Sequence, residues 1–302
     1  MRDLDQFNIT DEVIEQLGIA KDPRFKEIMT SLVRHLHDFA REVELTPAEW
    51  LAGIAFLTRV GQACNQYRQE FILLSDTLGL SACVNAMHSS DVGHDATRSS
   101  LQGPFYRENS PKFALGDTIS GNFAGEIIAM TGRVHDKQGK PIPNARVEVW
   151  QTDSDGLYDV QMDHPEEMHM RGQLRTDKDG RYHFRTLVPK FYSIPVDGPV
   201  GDMIRKWGRH PFRPAHTHFL VGAEGYDELV TALYLRDDPN IASDAVYGVS
   251  RTLAVDIKPA FTDGPHKGLR HIDYDFCLNR ADASRASRRV GADPAAIAAA
   301  AV

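Results

Sequence analysis

The chain has 302 residues, 42% hydrophobic and 25% charged, enough to bury a full core as one large domain or two modest ones. A formal net charge of −8 argues against nucleic acid or an anionic membrane as the main partner, and no apolar run approaches the roughly 18 residues a bilayer span requires. Met1-Arg2-Asp3-Leu4-Asp5 lacks an apolar signal region, so a cytoplasmic address is expected, with Cys64, Cys83 and Cys277 as buried free thiols.

Residues from about 11 to 90 read as helices. Phe25, Ile28, Met29, Leu32, Val33, Leu36, Phe39 and Ala40 recur at three- and four-residue intervals, and Asp22-Pro23 is a start signal for that helix. Thr46 followed three positions later by Glu49 has capping-box spacing ahead of Trp50, Leu51, Ile54, Ala55 and Leu57. Asp76 stands in the apolar stretch from Phe71 to Leu80; taken alone it reads as a helix cap or a solvent-facing carboxylate.

Near residue 100 the texture changes. From Ile127 onward short alternating segments are separated by turns such as Asp136-Lys137-Gln138-Gly139 and Asp177-Lys178-Asp179-Gly180, the pattern of a β-sandwich rather than an α/β sheet. The expected architecture is mainly β. A helical N-terminal domain covers residues 1–100, a β-sandwich 101–280, and an Ala/Arg-rich tail 281–302, helical or loose.

The chemistry concentrates in Arg213-Pro214-Ala215-His216-Thr217-His218, which runs into Phe219-Leu220-Val221. On a strand, residues two apart share a face, so His216 and His218 project side by side as half of a metal site. Pro214 cannot donate to a ladder and belongs at the strand entrance, with Arg213 in the loop before it. Taken alone, such a pair is more often solvent-facing. Tyr158, just beyond a strand end, and Tyr192, in a Pro-bounded loop, are two of nine tyrosines and are unremarkable singly.

Together these residues resemble the intradiol ring-cleavage dioxygenase family. The likeness is carried by Leu-Gln-Gly-Pro-Phe-Tyr at 101–106, Gly-Lys-Pro-Ile-Pro-Asn-Ala-Arg-Val-Glu-Val-Trp at 139–150, Gly-Leu-Tyr ending at Tyr158, and Arg-Pro-Ala-His-Thr-His at 213–218. The resemblance implies one ferric ion per chain, Fe(III), held by Tyr158, Tyr192, His216 and His218, and cleavage of a catechol between its hydroxylated carbons with both atoms of O2. It implies that Tyr192 leaves the metal and takes up a substrate proton, and that Arg213 stabilises negative charge on the ring. Within the family the chain looks most like the hydroxyquinol-cleaving subgroup: Asp76, the segment 192–201 and the segment 243–249 carry that likeness, with Leu73, Gly103, Pro104, Phe105, Ile194, Pro195 and Val246 lining the pocket. Gln102 and Ala232 depart from what the wider family suggests. The N-terminal helices would pair two subunits as a homodimer, with a lipid in an apolar tunnel, although burial against the chain's own β-part accounts for the stripe from Phe25 to Ala40 equally well. Other readings compete: within the family, a catechol or chlorocatechol 1,2-dioxygenase; outside it, a metal-free β-sandwich binding protein, and a zinc hydrolase adding Asp153, Asp155 or Glu148 to the histidines, which the absence of His-Glu-x-x-His weakens.

Overall fold

The computed structural model describes residues 3–66, 68–90 and 96–281, so nearly all of the C-terminal tail lies outside the described residues. Five helices come first: α1 (Ile9–Gln16), α2 (Pro23–Glu42), α3 (Pro47–Gln62), α4 (Glu70–Thr77) and α5 (Leu80–Ser90). Contacts divide the chain into two compact units between Arg59 and Val60, whereas the change from helix to strand falls later, between Ser90 and Ile127. Helices α4 and α5 therefore go with the β-rich unit.

In the first unit the start signals operate as their chemistry requires. The Asp22 carboxylate accepts the Arg24 and Phe25 amides at 2.8 and 3.2 Å, with Pro23 at the first helical position. Thr46 and Glu49 cap each other, Thr46 N donating to Glu49 Oε2 at 3.0 Å and Glu49 N to Thr46 Oγ1 at 3.3 Å. The stripe on α2 stays open: Phe25, Ile28, Leu32, Leu36 and Phe39 are each about half exposed. No described helix is long and apolar enough to cross a membrane.

The second unit is built from β1 (Ile127–Asp136), β2 (Arg146–Gln151), β3 (Arg171–Arg175), β4 (Arg181–Leu187), β5 (Tyr192–Ser193), the helix α6 (Pro199–Trp207), β6 (Phe212–Arg213), β7 (His216–Gly222), β8 (Leu229–Leu235), β9 (Ala254–Val255), β10 (His271–Asp273) and β11 (Phe276–Leu278). In one sheet β1 pairs antiparallel with β4 and parallel with β10 and β11. The other has the order β3-β2-β7-β8-β9. Ile128, Met130, Val134, Tyr182 and Phe184 of the first meet Val147, Val149, Leu174, Phe219, Val221 and Leu233 of the second in one core. Both Asp/Gly turns form, with Gly139 and Gly180 at φ of +75° and +71°, where a side chain would be strained.

Register then decides what the outer face of the five-stranded sheet carries. Directly opposed residues point to the same side. Arg171, Trp150, His218 and Ala232 form one cross-strand row, and His216, Tyr234 and Ala254 another. The residues between them along each strand, such as Phe219 and Val149, face the core. A third, two-stranded ribbon pairs Tyr192 with Arg213 and Ser193 with Phe212. Tyr192 and Arg213, expected in loops, thus lie on short strands that bond to each other. The thiols differ from expectation as well: all three are free, but Cys83, on α5, is exposed and Cys64, two residues past α3, half-buried.

Candidate metal centre and substrate pocket

His216 and His218 come together because both belong to the outward period of β7, and Pro214 stands two residues ahead of the strand. Their Nε2 atoms are 3.0 Å apart. The Pro214 carbonyl lies 2.6 Å from His216 Nδ1. A carbonyl accepts and cannot donate, so the proton sits on Nδ1 and Nε2 is left as a lone-pair donor facing His218. Burial, with the nearby Arg213 charge, pulls the His216 pKa down to about 3. Burial and the neighbouring His216 hold His218 well below the usual range too. Both rings are neutral, as metal ligation requires. Trp150, the cross-strand neighbour, stacks on His218 at 4.9 Å and 6° and fixes the plane of its ring.

Tyr158 opens the turn of 3-10 helix Asp159–Gln161, and its hydroxyl reaches His216 Nε2 at 3.4 Å. Its ring stands edge-on to Tyr192 at 5.3 Å, and the Phe105 ring stacks on it at 4.4 Å. Burial pushes both phenols up from the usual value, Tyr158 strongly, so without a cation they stay protonated. Two phenol oxygens and two imidazole nitrogens therefore converge in a water-excluded space with no carboxylate among them. That set fits a strongly Lewis-acidic metal ion, which would take the phenolic protons' place. Among the described residues no three His, Cys, Asp or Glu side chains gather as a metal site. Asp153 Oδ1 is engaged in its own turn, accepting the Asp155 and Leu157 amides at 2.9 Å each.

Arg213 is 2% exposed and is held like a tool in a rack. Asp244 accepts its Nε at 3.1 Å and its Nη2 at 3.4 Å; Nη2 also donates to Tyr234 Oη at 3.2 Å. Nη1 is turned to the centre, 3.2 Å from His216 Nε2 and 3.4 Å from Tyr192 Oη. Despite burial, the guanidinium keeps the Asp244 carboxyl below its ordinary value. Ser100 Oγ binds Tyr234 Oη at 2.8 Å. A Cβ at Gly248 would come within 2.7 Å of Tyr234 Oη and 2.8 Å of Arg213 Nη2, so a side chain there would displace the guanidinium.

Of the expected pocket residues, Leu73, Phe105, Ile194 and Val246 are buried, and Gly103, Pro104 and Pro195 half-buried. A Cβ on Gly103 would sit 3.8 Å from His218 Nε2, which places that glycine over the centre. Asp76 neither caps a helix nor faces water. It lies in the last turn of α4, 4% exposed, close enough to feel the charges of Arg213 and Asp244. Burial pushes its carboxyl pKa up, against the Ser81 hydroxyl and Arg213. The sequence reading missed Asp244 and Tyr234. The segment 243–249 was singled out without its carboxylate, and a hairpin register between the strands at 216–222 and 229–235 would have set Tyr234 opposite His216.

The chain matches two family models, one described as Dioxygenase over residues 101–280 and one as Catechol dioxygenase N terminus over residues 22–94. It is 48% identical to the 6-chlorohydroxyquinol 1,2-dioxygenase of Cupriavidus pinatubonensis, covering 92% of this chain and 99% of the relative. It is 46% identical to a hydroxyquinol 1,2-dioxygenase of a Rhizobium species, covering 89% and 93%. The crystal structure of hydroxyquinol 1,2-dioxygenase from Pseudomonas putida superposes with a TM-score of 0.83 at 42% identity, over 91% of this chain and 99% of that one. The chain belongs to the intradiol ring-cleavage dioxygenases. It is an enzyme of ring cleavage, not a passive sandwich module.

Proposed function

We propose that this enzyme opens hydroxyquinol, benzene-1,2,4-triol, between its adjacent hydroxylated carbons, inserting both atoms of O2 to give 3-hydroxy-cis,cis-muconate, the enol form of maleylacetate. The observation that carries the reading is the meeting of Tyr158, Tyr192, His216 and His218 beside Arg213 in one buried space. These four side chains would hold a single Fe(III), and bound there it supplies the Lewis acidity that keeps two phenols ionised and draws electron density from a catecholate.

The chain's own residues account for the rest. Tyr192 Oη, beside Arg213 Nη1, is placed to hold a proton taken from a substrate hydroxyl. Arg213, fixed from behind by Asp244, offers positive charge where the ring becomes negative, and in a dry site that charge is weakly screened. Leu73, Phe105, Ile194 and Val246, with Gly103, Pro104 and Pro195, form apolar walls that exclude water. Asp76 is the polar exception and accepts a hydrogen bond from the third hydroxyl, the group catechol lacks. The exposed apolar stripe on α2 suits pairing of two copies as a homodimer, with a lipid chain filling apolar space at that contact, in a cytoplasmic enzyme.

Purified protein is expected to hold close to one iron per chain, to be red-brown from tyrosinate-to-iron charge transfer, and to turn over hydroxyquinol faster than catechol. A colourless or zinc-loaded protein sinks the oxygenase chemistry. A preference for catechol sinks the substrate assignment.

A further inference from the structure

Directly after Tyr158 comes Asp159, which is fully buried and accepts an unusual number of donors. Its oxygens take Arg171 Nε at 2.6 Å and Arg171 Nη2, Val160 N at 2.9 Å, Arg107 Nη1 at 3.2 Å and His169 N at 3.4 Å. Arg171 lies on β3 and is 1% exposed. The same Nη2 donates to the Phe105 carbonyl at 3.0 Å, and Phe105 is the ring stacked on Tyr158. One guanidinium thus ties down the residue that follows Tyr158 and the residue that lies over its ring. Arg171 also stands in the row of Trp150 and His218, one strand beyond Trp150. Two arginines share one carboxylate, and the charge of Arg171 is felt at Tyr158 and His218.

We infer that Arg171 is a positioning residue for the metal centre: through Asp159 and the Phe105 carbonyl it fixes the place of the Tyr158 phenol, and it sets a buried cation in the cross-strand row of Trp150 and His218. The inference rests on Tyr158 being a ligand, as proposed above. A buried ion pair contributes little net stability, because desolvation offsets the attraction. Its effect falls on geometry and electrostatics instead, and outer partners of metal ligands change metal affinity about 10- to 100-fold.

The test compares iron-loaded wild-type enzyme with Arg171→Lys, Arg171→Met and the double variant Arg171→Met/Asp159→Asn. The double variant removes both charges, so it stays testable should the unpaired aspartate of Arg171→Met prevent folding. Read out are the position of the visible tyrosinate-to-iron band, the rate of iron loss to a chelator, and kcat and KM separately. Both variants lacking the cation are expected to shift the band and release iron about 10-fold faster or more, with kcat falling more than KM changes. Arg171→Lys keeps the charge but not the two-pronged grip; its band should stay near the wild-type position while iron leaves faster. Folded charge-free variants with wild-type band and release rate, differing in melting temperature alone, overturn the inference and leave a structural role. An iron-loaded wild type with no such band overturns the ligand assignment of Tyr158 and this inference with it.

Discussion

The two tyrosines stand on walls of opposite construction. Tyr158 begins a closed turn, its amide donating to Gln161 Oε1 at 3.0 Å and its carbonyl accepting Gln161 N at 2.8 Å, under a stacked Phe105 and ahead of a carboxylate clasped by two arginines. Tyr192 sits on a ribbon two residues long, meets Phe105 edge-on at 6.2 Å, and its hydroxyl accepts from Arg213 at 3.4 Å. Neither wall differs in burial; what differs is how many independent ties would break if the phenol moved. On the proposed roles, the ligand that stays has the first wall, and the one that swings away to carry a proton has the second.

Exchanging each phenol for a phenyl ring tests this contrast most severely. Tyr158→Phe is expected to lose iron, colour and nearly all turnover. Tyr192→Phe should retain a larger share of iron while kcat falls by about 10²–10⁴-fold, the range lost with a proton-transferring group. Equal iron loss in the two, measured by metal analysis, would erase the distinction between the walls. A second change sharpens the Tyr192 side. Asp244→Asn releases the two-point hold on Arg213, and kcat is expected to fall about 10- to 100-fold, with a lower melting temperature from a less well paired buried cation. Wild-type kcat with iron bound would show that Arg213 orients itself without its carboxylate. The mildest test concerns the pocket between the walls. Asp76→Ala should lower kcat/KM for hydroxyquinol by about 10-fold, the upper value of one ordinary hydrogen bond, and leave catechol nearly unaffected. An unchanged ratio between the two substrates would remove Asp76 from the specificity argument.

Local chemistry was readable in the amino-acid order. The Asp22 and Thr46–Glu49 caps, the two Asp/Gly turns and the outward pairing of His216 with His218 each depend on residues within a few positions of one another. The family resemblance also pointed to Tyr158, Tyr192 and Arg213 as candidates, and the fold brings those three side chains together. What escaped was non-local. Nothing in the spacing of Arg171 and Asp159, or of Arg213, Tyr234 and Asp244, says that they meet, because only strand register and chain return bring them together. Periodicity along α2 identified a shared apolar face, but the same pattern would arise whether the face is covered or open. Asp76 shows the reverse case: an acidic residue in an apolar stretch is ordinary by sequence, and its burial near Arg213 is what gives it meaning.

The pairing of Tyr192 with Arg213 across the small ribbon has one more consequence. Everything from residue 194 to 211, including Ile194, Pro195 and α6, is a single excursion whose two ends are stitched together by those strands. The excursion can change length or composition without separating the Tyr192 phenol from the Arg213 guanidinium. On the proposed roles, the pocket wall can therefore be remodelled within one detour while the pair at its base keeps its spacing.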